Sequence, residues 1–146
     1  LLATKHPPGE LFEFWDRDKD EIIFIQERRM MKNGKKAYIP WVYLSNGEWT
    51  NMEPDDGLPF WKPRYATGKG RVMIHEGAKA AKFINDNLLR TDPWHPWFET
   101  LKQYEHWGMV GGALAPHRTN YSELAKFSPS ETIYVADNDY VGKSAL

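Results

Sequence analysis

Cysteine is absent from the chain. That excludes disulfides, thiolate nucleophiles and cysteine-held zinc, and it fits a reducing compartment. A dominant charge is missing too: 19 basic and 20 acidic residues leave a formal net charge of −1. No global basic field advertises nucleic acid, so any such contact must come from a local patch. No apolar run approaches membrane-spanning length. The opening stretch LLATKHPPGE lacks a charged start and an extended apolar segment, so it is not read as a signal peptide. There is no initiator methionine, and the last residues stop where a helix is expected. Together these features read as a fragment, an excised domain or a processed chain. Tryptophan, by contrast, is abundant at seven residues, and a buried indole N–H needs a partner. The 146 residues suffice for one ordinary domain or two small ones.

The first half alternates between apolar and polar residues. ELFEFWDR, EIIFIQERR, KKAYIPWVYL and EWTNM are separated by the polar turn DKD and by Asn33-Gly34 and Asn46-Gly47. Asn-Gly between apolar runs is a strong hairpin signal, because a type I′ turn needs positive φ. An antiparallel meander of three or four strands is expected from about Glu10 to Met52. Pro40 within the third run predicts an edge strand or a bulge there. EPDDGLPFWKPRYATGKG is rich in Pro, Gly and charge and reads as a connector.

The second half has a different pattern. RVMIH is a short continuous apolar run, as in a strand buried on both faces. EGAKAAKFINDNLL spaces Ala81, Ile84 and Leu88 at helical intervals, and Asp92-Pro93 ends that helix. PWFETLKQYEHW reads as a second helix starting at Pro96, and GMVGG as a short strand with a glycine exit. RTNYSELAKF reads as a helix with Thr119 or Asn120 as its cap and Glu123 placed for a capping box. TIYVA is a second buried strand. The order strand–helix–helix–strand–helix–strand implies a parallel sheet covered by helices. The expected division is an antiparallel subdomain with its connector over residues 1–66 and a parallel α/β domain over 67–146.

Two strands end in acid. VMIH runs into Glu76-Gly77, and IYVA into Asp137-Asn138-Asp139. Ligands of open parallel sheets gather beyond the carboxyl ends of strands. Residues two apart on extended backbone share a face, so Asp137 and Asp139 should point the same way. Three clustered carboxylates repel unless a cation neutralises them. Oxygen ligands without His or Cys suit Mg²⁺. Each piece alone is ordinary: Asp-Asn-Asp before a helix is commonly a turn and cap, and a Glu at a strand end is commonly solvated. Their pairing is more specific, because both end strands of one parallel sheet and both are followed by Gly, at Gly77 and Gly142.

VMIHEGAKAAKF resembles the first motif of the Toprim domain, a strand ending in Glu-Gly before a helix. IYVADNDYVGKSAL resembles its second, an Asp-x-Asp strand followed by Gly and a helix. WGMVGGALAPHRTNYSELA is similar to the Gly-Gly segment between these motifs in primase-like Toprim proteins of phages and plasmids. KNGKKAYIPWVY with NGEW resembles the region before Toprim in those proteins. The likeness covers roughly Glu10 to Leu146 and is strongest from Arg71 onward.

The resemblance implies a parallel-sheet, Rossmann-like Toprim domain preceded by a small antiparallel β-meander. It implies Glu76 as general acid/base and Asp137 and Asp139, with Glu76, as ligands of Mg²⁺ or Mn²⁺. Lys79 falls where the family commonly carries a basic residue. The implied activity is nucleotidyl transfer by a DNA primase or primase–helicase, on a single-stranded DNA or RNA–DNA template, with nucleotides as substrates. The implied setting is the cytoplasm of a bacterial or phage-infected cell, with no membrane and with a helicase domain in the full-length protein. The family's fold normally continues beyond the helix after Asp-x-Asp, so the end at Leu146 reads as truncation and the isolated piece as weak in metal binding or inactive. RTDPWHPWFETLKQYEHW is longer than a minimal connection between the first two strands.

Three other readings compete: DNA cleavage of the Toprim nuclease or topoisomerase type, a non-catalytic nucleic-acid-binding module, and a phosphatase using Asp-x-Asp. The last usually opens its domain with that pair, whereas here the pair closes the chain. His117, Arg118, Lys79 and Lys143 form a candidate basic rim for phosphates, or else scattered solvated charges. Trp94, Trp97 and Trp107 either stack bases or pack the core. His95 and His106 are too far apart for a shared helical metal face. The basic hairpin ERRMMKNGKK reads as solvated strand ends, with single-strand contact as the minority reading.

Overall fold

The computed structural model describes residues 9–16, 18–112 and 115–137. The chain divides into two compact units after Asp56.

The first unit is the expected meander. Strands β1 (Glu10–Asp16), β2 (Glu21–Met30), β3 (Lys36–Tyr43) and β4 (Trp49–Thr50) form one antiparallel sheet in sequence order. Period-two alternation turns Phe12, Phe14 and Phe24 to one face, where they are buried; Phe14 and Phe24 meet edge-on at 4.8 Å. The bulge lies between Phe14 and Trp15, not at Pro40. Pro40 pairs with Gln26 on one side, while on the other side β4 reaches only Val42 and Tyr43. The missing proline N–H therefore falls where no ladder partner is needed.

Both Asn-Gly turns exist, but not as type I′. Gly34 (φ 77°) and Gly47 (φ 86°) have positive φ while Asn33 and Asn46 do not. Gly34 N–H donates to Met31 O and Gly47 N–H to Leu44 O. The hairpins thus use three-residue loops with glycine in the left-handed position. Each asparagine side chain accepts the N–H two residues on, which stabilises the loop.

The second unit is built on a parallel sheet of three described strands, β5 (Val72–His75), β6 (Glu105–Gly108) and β7 (Thr132–Val135), in the order β6-β5-β7. All four residues of β5 are buried. Val72 and Ile74 join Phe60, Trp107, Met109 and Phe127 in one core. On the opposite face lie Met73 and His75, covered by α1 (Ala78–Phe83), which continues through a π-turn (Ile84–Leu88) into α2 (Leu89–Thr91). Asn85 explains the local widening: its buried amide donates to Ala81 O and His106 O and accepts from Tyr65 OH.

Several expectations are corrected. The division lies at Asp56–Gly57 and not after residue 66, because the connector packs into the second unit. Leu58 bridges to Thr119 and Trp61 to Gly108, and both are buried. The helix expected from Pro96 shrinks to α3 (Phe98–Leu101), and its tail, EHW, forms strand β6 together with Gly108. GMVGG therefore begins at the exit of the strand instead of forming it. The segment after Asn120 is a 3-10 helix, Tyr121–Lys126, capped by Asn120, whose side chain accepts Ser122 N–H. Glu123 closes no capping box; it pairs with Lys62. TIYV is at the sheet edge among the described residues, with Ile133 and Val135 exposed, so it is not buried on both faces. No helix among the described residues is long and apolar enough to cross a membrane.

Candidate functional site

β5 and β7 are adjacent and parallel, in the register His75↔Val135. Their carboxyl ends therefore emerge side by side. Glu76 follows β5 directly, and Asp137 lies just past β7. The Asp137 backbone N–H donates to Glu76 Oε2 at 3.0 Å. This bond orients the Glu76 carboxylate and ties the two strand ends together. Gly77 leaves the space above this end open, since a Cβ there would meet nothing within 4 Å. Gly108 does the opposite on the neighbouring strand. A Cβ at that position would sit 2.5 Å from Ala78 Cα and 2.7 Å from Ala78 N, so only glycine lets α1 start this close to β6. Met109 N–H donates to His75 O at 2.9 Å, which carries β6 past the same end and into Gly111-Gly112.

Glu76 and Asp137, sequence candidates on separate strands, are thus brought together. Asp139 and Lys143 lie outside the described residues. Lys79 is exposed in the first turn of α1, and His117 and Arg118 are exposed on the 3-10 turn Pro116–Arg118. Among the described residues no three Asp, Glu or His side chains gather as a metal site. The donors present are carboxylate oxygens. The nearest histidine, His75, points inward, its Nε2 2.9 Å from His106 Nδ1. An all-oxygen donor set fits Mg²⁺ or Mn²⁺ rather than zinc.

Sequence reading missed two features. The Tyr134 hydroxyl is buried and has no hydrogen-bond partner among the described residues. Burial, followed by the Glu76 carboxylate, Tyr121 and the Asp137 carboxylate, pushes its pKa above the usual phenol value. A neutral O–H is therefore kept beside the acidic strand ends, able to donate to a ligand oxygen. Its signal was the position three residues before Asp137, but that spacing gives no warning that the ring turns toward the core. The second feature is the stacked pair His75–His106, both rings buried. His106 looked like a helix residue, and only its placement in β6 brings it to His75.

The tryptophans divide. Trp107 is core at 2% exposure, whereas Trp94 and Trp97 stand out at 91% and 64%. No known protein family, curated protein or solved structure matches the chain.

Proposed function

We propose that this chain carries the catalytic site of a Toprim-type primase or primase–helicase, which joins nucleotides on a single-stranded template with Mg²⁺. The observation that supports this reading best is the bond from Asp137 N–H to Glu76 across the carboxyl ends of two adjacent parallel strands. It joins, in space, the two motifs that resemble that family. In this reading Asp137 and Asp139, with Glu76, hold the cation. A bound divalent ion would supply charge neutralisation at the phosphoryl oxygens. Glu76, on a different strand from the aspartates, would take the proton of the attacking 3′-hydroxyl as general base. The Asp137 N–H would keep its carboxylate aimed. Lys79, Lys143, Arg118 and His117 would meet phosphates around the rim.

Labelled-nucleotide incorporation on single-stranded template with Mg²⁺ tests this reading. Glu76→Gln is expected to lower incorporation by ~10²–10⁴-fold, whereas the exposed control Glu48→Gln leaves it unchanged. In parallel, Mn²⁺ titration should show binding by the wild type that is lost in Asp137→Asn combined with Asp139→Asn. Near-normal incorporation by Glu76→Gln removes Glu76 from the mechanism. Glu76-dependent nicking without incorporation would replace the primase reading with Toprim cleavage. Template binding with neither reaction would leave a non-catalytic binding module.

A further inference from the structure

The three described strands of the second unit are parallel, so the segments that enter them share one edge of the sheet. Glu105 N–H donates to Arg71 O at 2.9 Å, which joins the entry of β6 to the entry of β5. This edge lies at the opposite end of the strands from Glu76 and Asp137. The loop between α2 and α3 returns to it, carrying Trp94 and Trp97.

That loop is braced. Pro93 and Pro96 each fix a φ near −65°. His95 N–H donates to Asp92 O, Phe98 N–H to His95 O, and Trp97 N–H to His95 Nδ1. The two indoles are therefore held out by an ordered turn. Between β5 and β6 the exposed large apolar side chains are Phe83, Trp94 and Trp97, all aromatic; just before β5, Tyr65 is exposed as well. Flat, exposed rings suit stacking on planar groups.

The charges at this end of the sheet point the same way. Lys69, Arg71 and Arg90 make no ion pair among the described residues. Arg71 lies over the Tyr104 ring at 4.7 Å. The local carboxylates are largely occupied. Asp86 pairs with Lys82 and Glu99 with Lys102. Glu105 accepts from the Thr67 and Gly68 N–H groups and the Trp107 indole. Asp92 is the remaining exposed acid. Cations without carboxylate partners, at the same end of the sheet as exposed rings, complement a phosphate backbone carrying unstacked bases.

We propose that this edge is a second binding surface, on which Trp94 and Trp97 stack bases of single-stranded nucleic acid while Lys69, Arg71 and Arg90 meet its phosphates. It shares a partner class with the proposed function but neither its residues nor its metal, and it stands if that function fails.

The experiment is fluorescence anisotropy of a labelled oligothymidylate of ~15 nucleotides, within the usual site size, titrated with the full chain in the absence of metal. Trp94→Ala and Trp97→Ala are each expected to weaken binding by about 5- to 100-fold, with the thermal midpoint unchanged because both side chains are exposed. Trp94→Phe should retain most of the affinity. Arg90→Gln should reduce the salt slope by about one. The exposed control Glu48→Gln, in the first unit, should bind as wild type. Equal binding by wild type and the double tryptophan variant overturns the proposal, as does absence of binding by wild type. Loss of self-association in the double variant, without an effect on oligonucleotide binding, would assign the surface to a second copy of the chain and likewise overturn it.

Discussion

His75 and His106 share a hydrogen bond in the interior of the second unit, and the rest of the pair is fixed by it. His106 Nε2 lies 2.8 Å from the Leu101 carbonyl, which can only accept, so that nitrogen carries the proton. Its Nδ1 must then accept from His75 Nε2–H. A proton added to His106 Nδ1 breaks this bond, and one added to His75 puts a charge in the interior. Burial, and then the facing His106, lowers the His75 pKa from 6.5 to about 4; burial also lowers that of His106. Between those values the unfolded chain takes up a proton that the folded chain refuses. The stability contribution is therefore full above ~6.5, falls as pH drops through the window, and levels off below the folded value. Urea midpoints should drop by an amount equivalent to about 2 kcal/mol between about pH 6.5 and 5. His75→Gln should flatten that drop. An identical pH dependence in wild type and variant would show that the pair does not govern acid stability.

At the scale of elements, the start of α1 depends on two glycines with opposite requirements. Gly108→Ala forces a Cβ against Ala78 backbone, so α1 or β6 must move. The expected cost is ~1–3 kcal/mol, as for overpacking, read from the urea midpoint. Gly77→Ala meets open space at φ −143°, which any residue adopts, and should change stability by about 0.5 kcal/mol or less. Equal costs at the two positions would refute this account of helix placement. The same region shows why some elements were illegible. EHWG reads as the end of a helix because its neighbours suit one, yet β6 forms because that segment can bury His106 and Trp107 against β5. Burial in a sheet outweighs local propensity over so short a run.

At the scale of the whole molecule, the chain forms two compact units, and a defect in one should stay there. Glu27 tests this. It is fully buried in β2 and accepts from Gly9 N–H, Arg29 and the Trp41 indole. Burial acts to raise its pKa, but the Gly9 N–H, Arg29 and Trp41 together hold it below the ordinary value. Glu27→Ala strands those donors and should destabilise the meander by about 3–5 kcal/mol. Hydrogen exchange should show lost protection across β1–β3 and retained protection in β5 and β6. Simultaneous loss in both units would mean that they unfold as one.

Much of this architecture was written in local pattern. Period-two alternation and the Asn-Gly pairs determined the meander, and the continuous run VMIH determined a strand buried on both faces. Glu-Gly and Asp-x-Asp marked the two acidic strand ends. The division at Asp56, the strand at EHWG, the histidine pair and the Tyr134 hydroxyl beside the acids were decided by tertiary structure alone. Each depends on which distant segment covers which surface: Leu58 and Trp61 are connector residues until they meet Thr119 and Gly108. The meeting of Glu76 with Asp137 belongs to both levels. The sequence put each acid at a strand end, and the parallel pairing of β5 with β7 in the register His75↔Val135 put the ends side by side, within one hydrogen bond.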